Sequence, residues 1–137
     1  VLGFAAPIVD GPGPDFVVFE NPFFIGGASD ALFAELGRVS VSADGESWVS
    51  FECTTSDAPP WPGCAGWRPT LRFDPRVNDP LDPAQSGGDP FDLAEIGVDT
   101  ARFVRIEDLA TQGDAPTAGF DLDAVGVVVH ALSESPQ

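Results

Sequence analysis

The carboxylates of Asp and Glu are the most numerous side chains of this sequence that could bind a cation. The 137 residues include 22 Asp and Glu against six Lys and Arg, which gives a formal net charge of −16. Much of the acid is gathered at residues 10–21, 74–99 and 121–123. Calcium takes about six to eight oxygen ligands from carboxylates, Asn side chains and backbone carbonyls. The clustering of acid therefore predicts a calcium-binding protein.

The first and the last of these acidic stretches carry the main candidate ligands. In the segment FDLDAV, strand alternation predicts that Asp121 and Asp123 share one face. Two neighbouring like charges repel each other, and a bound divalent cation removes that cost. The stretch at 10–21 contains a Gly-Pro turn whose carbonyls are expected to be free of sheet pairing. Its candidate ligands are Asp10, Asp15, Glu20 and Asn21.

The middle acidic stretch includes a polar segment, residues 74–92, that is longer than an ordinary connection. Its carboxylates offer a second candidate calcium site, made of Asp79, Asp82, Asp89 and Asp92. A structural interpretation competes with this one, because Asp89 is also suited to cap a short helix that begins at Pro90 and ends at Gly97. The sequence leaves both interpretations of Asp89 and Asp92 open.

The only two cysteines, Cys53 and Cys64, enclose a short loop rich in Pro and Gly. An even count and close spacing favour a disulfide. A metal-thiolate site is the alternative, but two Cys and one distant His are too few ligands for structural zinc. Because disulfides persist in oxidising compartments, the pair predicts an extracellular or cell-surface location.

Two tryptophans, Trp61 and Trp67, lie in or next to the loop between the cysteines. An exposed Trp beside polar groups can stack on a sugar ring, since it combines a large apolar face with a polar edge. The alternative is that both rings pack inward and hold the loop in place. The pair therefore keeps a glycan-binding role open.

Charge and composition exclude several functions. A surface this acidic repels nucleic-acid phosphates and anionic membranes. No run of 18 apolar residues provides a membrane-spanning helix. The sequence has no Lys or Tyr, and its one His, His130, lies in a Val-rich stretch that predicts strand packing. General-base catalysis would fall to carboxylates, which are too abundant here for spacing to identify a catalytic pair.

The order of short apolar runs and turns predicts one all-β domain spanning residues 1–137. The clearest signal is a hairpin around Asp44-Gly45, where Val39 and Val41 share a face of the first strand. Further strands are expected over 100–109 and, as one long strand, over 119–132. One or two short helical turns are expected, one from Asp89 to Gly97 and a further candidate before Gly37, with Ser29 or Asp30 as its cap.

Several phrases of the sequence resemble a known group of domains. VSVSADGESWVSF at 39–51 and TARFVRIEDL at 100–109 resemble strands of discoidin-like, galactose-binding-type jelly rolls. Together with VDGPGPDFVVFEN, GGDPFDLAEIG and AGFDLDAVGV, they are similar to bacterial cell-surface β-sandwich domains of PEP-CTERM-type secreted proteins. This resemblance implies a jelly-roll β-sandwich of two antiparallel sheets, an extracellular location and calcium binding, without a defined activity.

The same resemblance implies which acidic stretches meet. In jelly rolls of this kind the first and last strands often lie together, which would bring Asp15 or Glu20 to Asp121 and Asp123. The expected function is a non-enzymatic, calcium-binding domain with a structural or adhesive role. Since two bodies of charge −16 repel each other, self-assembly into a surface or matrix polymer would need calcium at the contacts. The alternative is a carbohydrate-binding, lectin-like module.

Overall fold

The computed structural model describes residues 1–25, 32–71, 79–110 and 119–130. Its strands are β1 (Leu2–Val9), β2 (Phe16–Phe19), β3 (Phe23–Phe24), β4 (Leu32–Phe33), β5 (Gly37–Ser42), β6 (Val49–Ser50), β7 (Cys64–Ala65), β8 (Asp89–Phe91), β9 (Thr100–Asp108) and β10 (Ala124–Val127). One short helix, α1 (Pro83–Ser86), and one 3₁₀ turn, Leu93–Ile96, accompany them. No helix in the described ranges has the length and apolar character needed to cross a bilayer.

The strands form antiparallel sheets. The larger sheet has the order β1-β9-β5-β6, with β7 also paired to β5. A three-stranded sheet has the order β10-β2-β8, and β3 pairs with β4 on its own. This arrangement confirms the predicted all-β fold with a little helix.

The hydrophobic core lies between the two larger sheets. Both of them contribute to one cluster of buried side chains, namely Ile8, Phe16, Val18, Val39, Val41, Phe51, Ala65, Phe91, Leu93, Ala101 and Val104. Three rings meet at its centre: the Phe16 ring stacks on Phe91 at 5.3 Å, and both meet the edge or face of Phe51. Aromatic contacts of this kind add to the stabilisation that burial alone provides.

Strand β2 is deeply enclosed in the fold. Phe16, Val17 and Val18 have no exposed surface, because β10 and β8 pair with the two edges of the strand and both of its faces are covered. A continuous apolar run is the pattern expected for such a strand. The residues that flank it are carboxylates, and they are buried as well: Asp15 is 0% exposed and Glu20 is 6% exposed.

The predicted hairpin is confirmed. β5 and β6 pair with Val41 opposite Val49, and Gly45 has the positive φ of +80° that the turn requires. Asp44 holds the turn, since its Oδ1 accepts hydrogen bonds from the backbone N–H groups of Glu46 and Ser47 at 2.8 Å. The strand predicted over 100–109 is confirmed as β9.

Three other expectations were wrong in detail. The expected helix from Asp89 to Gly97 is the strand β8 followed by the 3₁₀ turn, because Phe91 pairs with Phe16 and Asp92 is the residue that caps the turn. Gly37 opens β5 and ends no helix, whereas Ser29 and Asp30 lie outside the described residues. The last strand, β10, has only four residues, and Asp121 and Asp123 precede it.

The disulfide between Cys53 and Cys64 is confirmed. It lies against a second, smaller core formed by Ala34, Leu36, Trp61 and Cys64. Trp61 is 2% exposed and donates its Nε1–H to the Ser56 carbonyl, so its ring packs inward, which is one of the two alternatives that the sequence left open. Trp67 meets Trp61 edge-on and remains partly exposed.

The enclosure of β2 gives a stability prediction. Phe16→Ala is expected to lower the free energy of unfolding by about 3–5 kcal/mol, because it removes a fully buried ring and leaves a cavity between two packed rings. Phe24→Ala is the control, since Phe24 is 45% exposed and its loss should cost about 0.5 kcal/mol or less. Urea denaturation of the two variants measures the difference, and equal losses would contradict the proposed core.

Candidate metal centre

The pairing of β2 with β10 decides which acidic residues come together. The two strands are antiparallel, with Phe19 opposite Ala124 and Phe16 opposite Val127. The residues just before β10 therefore lie beside Glu20, at one end of β2, and those just after β10 lie beside Asp15, at the other end. Each end of β2 thus carries a separate group of polar side chains.

Asp15 is held rigidly at the first of these ends. Its Oδ1 accepts hydrogen bonds from the backbone N–H of Gly11 at 2.9 Å and from His130 Nε2 at 2.7 Å. Its Oδ2 accepts a hydrogen bond from the backbone N–H of Leu93 at 2.7 Å. A carboxylate has about four acceptor positions, so one position on Oδ2 remains for a further partner.

Gly11 is required for this arrangement. The ring of His130 packs directly over the Gly11 Cα, and any side chain at position 11 would overlap with the imidazole. Because a carboxylate only accepts hydrogen bonds, the imidazole donates through Nε2 to Asp15. His130 was predicted to be a packing residue, and its contact with Asp15 is a feature that the sequence pattern did not reveal.

Two further carboxylates converge on Asp15. One oxygen from each of Asp10, Asp15 and Asp92 lies within 4.8 Å of the others. Asp92 comes from the cap of the 3₁₀ turn, where one of its oxygens accepts from the Ala94 N–H at 2.9 Å. Within the described residues, the buried Oδ1 of Asp10 has no hydrogen-bond partner. An oxygen in that state is suited to binding a cation.

The electrostatics of this group favour a cation. Burial first, and then the charges of Asp15 and Asp92, raise the pKa of Asp10. A bound divalent ion would reverse that effect, since it replaces repulsion with attraction. Three carboxylate oxygens are fewer than the six to eight ligands, approximately, that calcium takes, so backbone carbonyls and water would have to complete the shell.

The second end of β2 opens into a cavity of about 400 Å³. Glu20, Glu35, Asp121 and Asp123 line it together with Asn21. Glu20 therefore does lie beside Asp121 and Asp123, in the grouping that the sequence predicted as one of its alternatives. A role of these residues as calcium ligands stays a prediction.

Burial dominates the chemistry of the second end. Together with the charges of Glu35, Asp123 and Asp121, it raises the pKa of Glu20 to about 7. Glu35 is 7% exposed and accepts a 2.6 Å hydrogen bond from the Gly119 N–H. Its position in the sequence, between Leu32 and Leu36, gave no sign of this.

Asp89 has a different environment from the other predicted ligands. It is 2% exposed, and its two oxygens accept hydrogen bonds from the backbone N–H groups of Gly66, Trp67 and Arg68 at 2.7–3.3 Å. These bonds tie the loop after the disulfide to β8. Asp89 is therefore separate from the cluster of Asp10, Asp15 and Asp92, and its contacts give it a structural role.

The burial of Asp89 gives a pH prediction. Burial raises its pKa to about 7 in the folded protein, although the three N–H donors oppose the shift. The unfolded chain has a value of about 4, so the folded form keeps a proton that the unfolded form has already lost. In chelator, the stability that this proton provides is present below about pH 4 and is lost as the pH rises to about 7.

In the variant Asp89→Asn, the free energy of unfolding is therefore expected to fall less steeply between about pH 5 and pH 8 than in wild type. At the acidic end of this range, the variant should have a lower free energy of unfolding than wild type. Urea denaturation across that range measures both effects. Asp57→Asn, at an exposed loop position, should leave the wild-type profile unchanged. Parallel profiles for wild type and Asp89→Asn would show that Asp89 does not titrate in this range.

Comparisons with known proteins identify no relative of this chain. No protein-family model matches it, and no curated protein or solved structure shows a significant match. The resemblance to discoidin-like and PEP-CTERM-type surface domains therefore stays a prediction from the quoted sequence phrases.

Proposed function

We propose that this chain is a non-enzymatic, extracellular calcium-binding β-sandwich with a structural or adhesive role. The observation that carries the proposal is the convergence of Asp10, Asp15 and Asp92, whose oxygens lie within 4.8 Å of one another. The Oδ1 of Asp10, which has no hydrogen-bond partner among the described residues, also supports this proposal. Three converging carboxylates in a partly buried position repel one another strongly unless a cation lies between them.

The type of ligand supports calcium over other metals. The converging atoms are carboxylate oxygens, which suit hard cations such as calcium and magnesium. Magnesium requires a near-ideal octahedron, whereas calcium accepts irregular shells that include backbone carbonyls. The turn at 11–14, which begins directly after Asp10, is a local source of such carbonyls.

The disulfide and the net charge support an extracellular, structural role. A bond between Cys53 and Cys64 is expected in an oxidising environment. At a charge of −16, two copies approach each other only when cations neutralise the contact. Strand β1 lies at one edge of the larger sheet, and most of its residues are exposed, which suits pairing with a second copy.

The alternative of a carbohydrate-binding module has less support. It depended on two exposed tryptophans, but Trp61 is buried and Trp67 is partly covered by Trp61 and by the guanidinium of Arg68 at 4.9 Å. A structural or adhesive role therefore has the better support.

Calcium is expected to stabilise the fold. A ligand that binds only the folded state contributes about 2.7 kcal/mol when its concentration is about a hundredfold above Kd. For a domain of this size the melting temperature should rise by on the order of 10 °C relative to chelator. Differential scanning calorimetry measures the shift, and identical melting temperatures with calcium and with chelator would contradict calcium binding.

Asp10→Asn tests where the calcium binds. The variant should lose most of the shift, with calcium affinity reduced by about tenfold or more, because one charged ligand is gone. In chelator it should be as stable as wild type or more stable, since its repulsion with Asp15 and Asp92 is relieved. Asp57→Asn removes an exposed charge elsewhere and should keep the full calcium shift.

Self-association is expected to depend on calcium. Size-exclusion chromatography should give a monomer in chelator and larger species with calcium, because neutralised surfaces can approach each other. Sodium chloride at matched ionic strength is the control for charge screening alone. The same monomeric elution in all three buffers would contradict the self-assembling role and leave calcium binding to be judged by the calorimetry.

A further inference from the structure

The cavity beside Glu20 has features that the proposed calcium site does not explain. It lies at the other end of β2 from Asp10, Asp15 and Asp92, and its volume is about 400 Å³. Its lining residues are Glu20, Asn21, Pro22, Phe23, Phe33, Glu35, Asp121 and Asp123. Four of them are carboxylates and none is Lys, Arg or His, so the cavity strongly favours a positively charged occupant.

Glu20 lines the cavity and is not a solvated surface charge. The residue is 94% buried, and its Oε2 has no hydrogen-bond partner among the described residues. A buried carboxylate oxygen without a partner is costly, because it has lost water and gained nothing in return. An occupant that donates a hydrogen bond to Oε2 would remove this cost.

The spacing of the carboxylates argues against a single metal ion as that occupant. Within the described part of the chain, only Asp10, Asp15 and Asp92 bring three ligand atoms within 4.8 Å of one another. No three of the carboxylates around the cavity converge to that degree. The volume is also more than ten times the roughly 30 Å³ that one water molecule takes up in the liquid.

The remaining wall of the cavity is aromatic. Phe23 and Phe33 stack on each other with their ring centroids 5.2 Å apart, and Phe23 is 54% exposed. Aromatic faces attract ammonium groups and also cover the methylene carbons that join them. An occupant that combines several separated positive charges with an apolar chain matches both walls at once.

We propose that this cavity binds an aliphatic polyamine, with one ammonium group donating to Glu20 and a second reaching the exposed carboxylates Asp121 and Asp123. The alkyl chain between the ammonium groups lies against Phe23 and Phe33. Glu35 contributes charge, although one of its oxygens is already bonded to the Gly119 N–H. Such a ligand neutralises carboxylates that stand too far apart to share one ion.

Isothermal titration calorimetry with spermidine tests this proposal on the disulfide-bonded protein in chelator. Spermidine should bind with about one molecule per chain, and its fully acetylated derivative, which keeps the alkyl chain but no charge, should not bind. Affinity should fall as salt is added, because the contacts are ionic. An absence of spermidine binding, or equal binding of the acetylated compound, would overturn the proposal.

Variants locate the site. Glu20→Gln should weaken spermidine binding by about tenfold or more, since a charge-assisted hydrogen bond is lost. Asp123→Asn changes an exposed residue and should weaken it severalfold, which keeps the test decisive should Glu20→Gln fail to fold. Phe23→Ala should weaken binding by about two- to fivefold. The matched controls, Glu46→Gln and Phe24→Ala, lie outside the cavity lining and should leave binding unchanged.

Calcium titrations of the same variants keep this proposal separate from the calcium site. Calcium binding should be weakened in Asp10→Asn and unchanged in Glu20→Gln, whereas spermidine binding should be unchanged in Asp10→Asn and weakened in Glu20→Gln. Should calcium bind at the Glu20 cavity instead, Glu20→Gln would lose calcium and calcium would displace spermidine competitively. That result would overturn the polyamine assignment, whereas loss of calcium binding in Asp10→Asn alone would leave it standing.

Discussion

The structure depends on the burial of strand β2 with a carboxylate fixed at each of its ends. Phe16 and Val18 pack into the core between the sheets, and the pairing of β2 with β10 and β8 joins three distant parts of the chain. Asp15 and Glu20 directly flank the strand, and both are buried with it. Both carboxylates therefore require hydrogen-bond or charge partners inside the fold, and this requirement explains where the surrounding polar side chains lie.

The two ends meet the requirement differently. At Asp15, backbone N–H groups from two other segments and the ring of His130 occupy most of the acceptor positions, so three hydrogen bonds hold the carboxylate in place. At Glu20, one oxygen is left without a partner among the described residues and further carboxylates surround it. Burial, together with these neighbouring carboxylates, therefore raises the pKa of Glu20 to about 7. A positively charged ligand from solution would favour the charged form of Glu20.

The effect of an acidic residue in this protein depends on whether its carboxylate is exposed or buried. Exposed carboxylates such as Asp57 keep the chain soluble and separate copies from one another. The buried ones act locally, because each raises the cost of ionising its neighbours, as the elevated pKa of Glu20 illustrates. Cations would act on both levels, by completing the buried sites and by allowing the surfaces of two copies to approach. Asp89 differs in its partners, since backbone N–H groups bond to both of its oxygens and tie a loop to β8, although burial still raises its pKa.

The sequence by itself determined the elements whose signal is local. Four features depend only on residues that are close in the chain. They are the alternation around Asp44-Gly45, the apolar run that forms β9, the close spacing of Cys53 and Cys64, and the clustering of acidic residues. Tertiary structure alone decided the rest, since strand pairing between distant segments has no local signature. That pairing brings His130 to Asp15 and Asp92 to Asp10, and the tertiary fold buries Glu35. The expected helix at Asp89 is a strand instead, because Phe91 pairs with Phe16, 75 positions earlier in the chain.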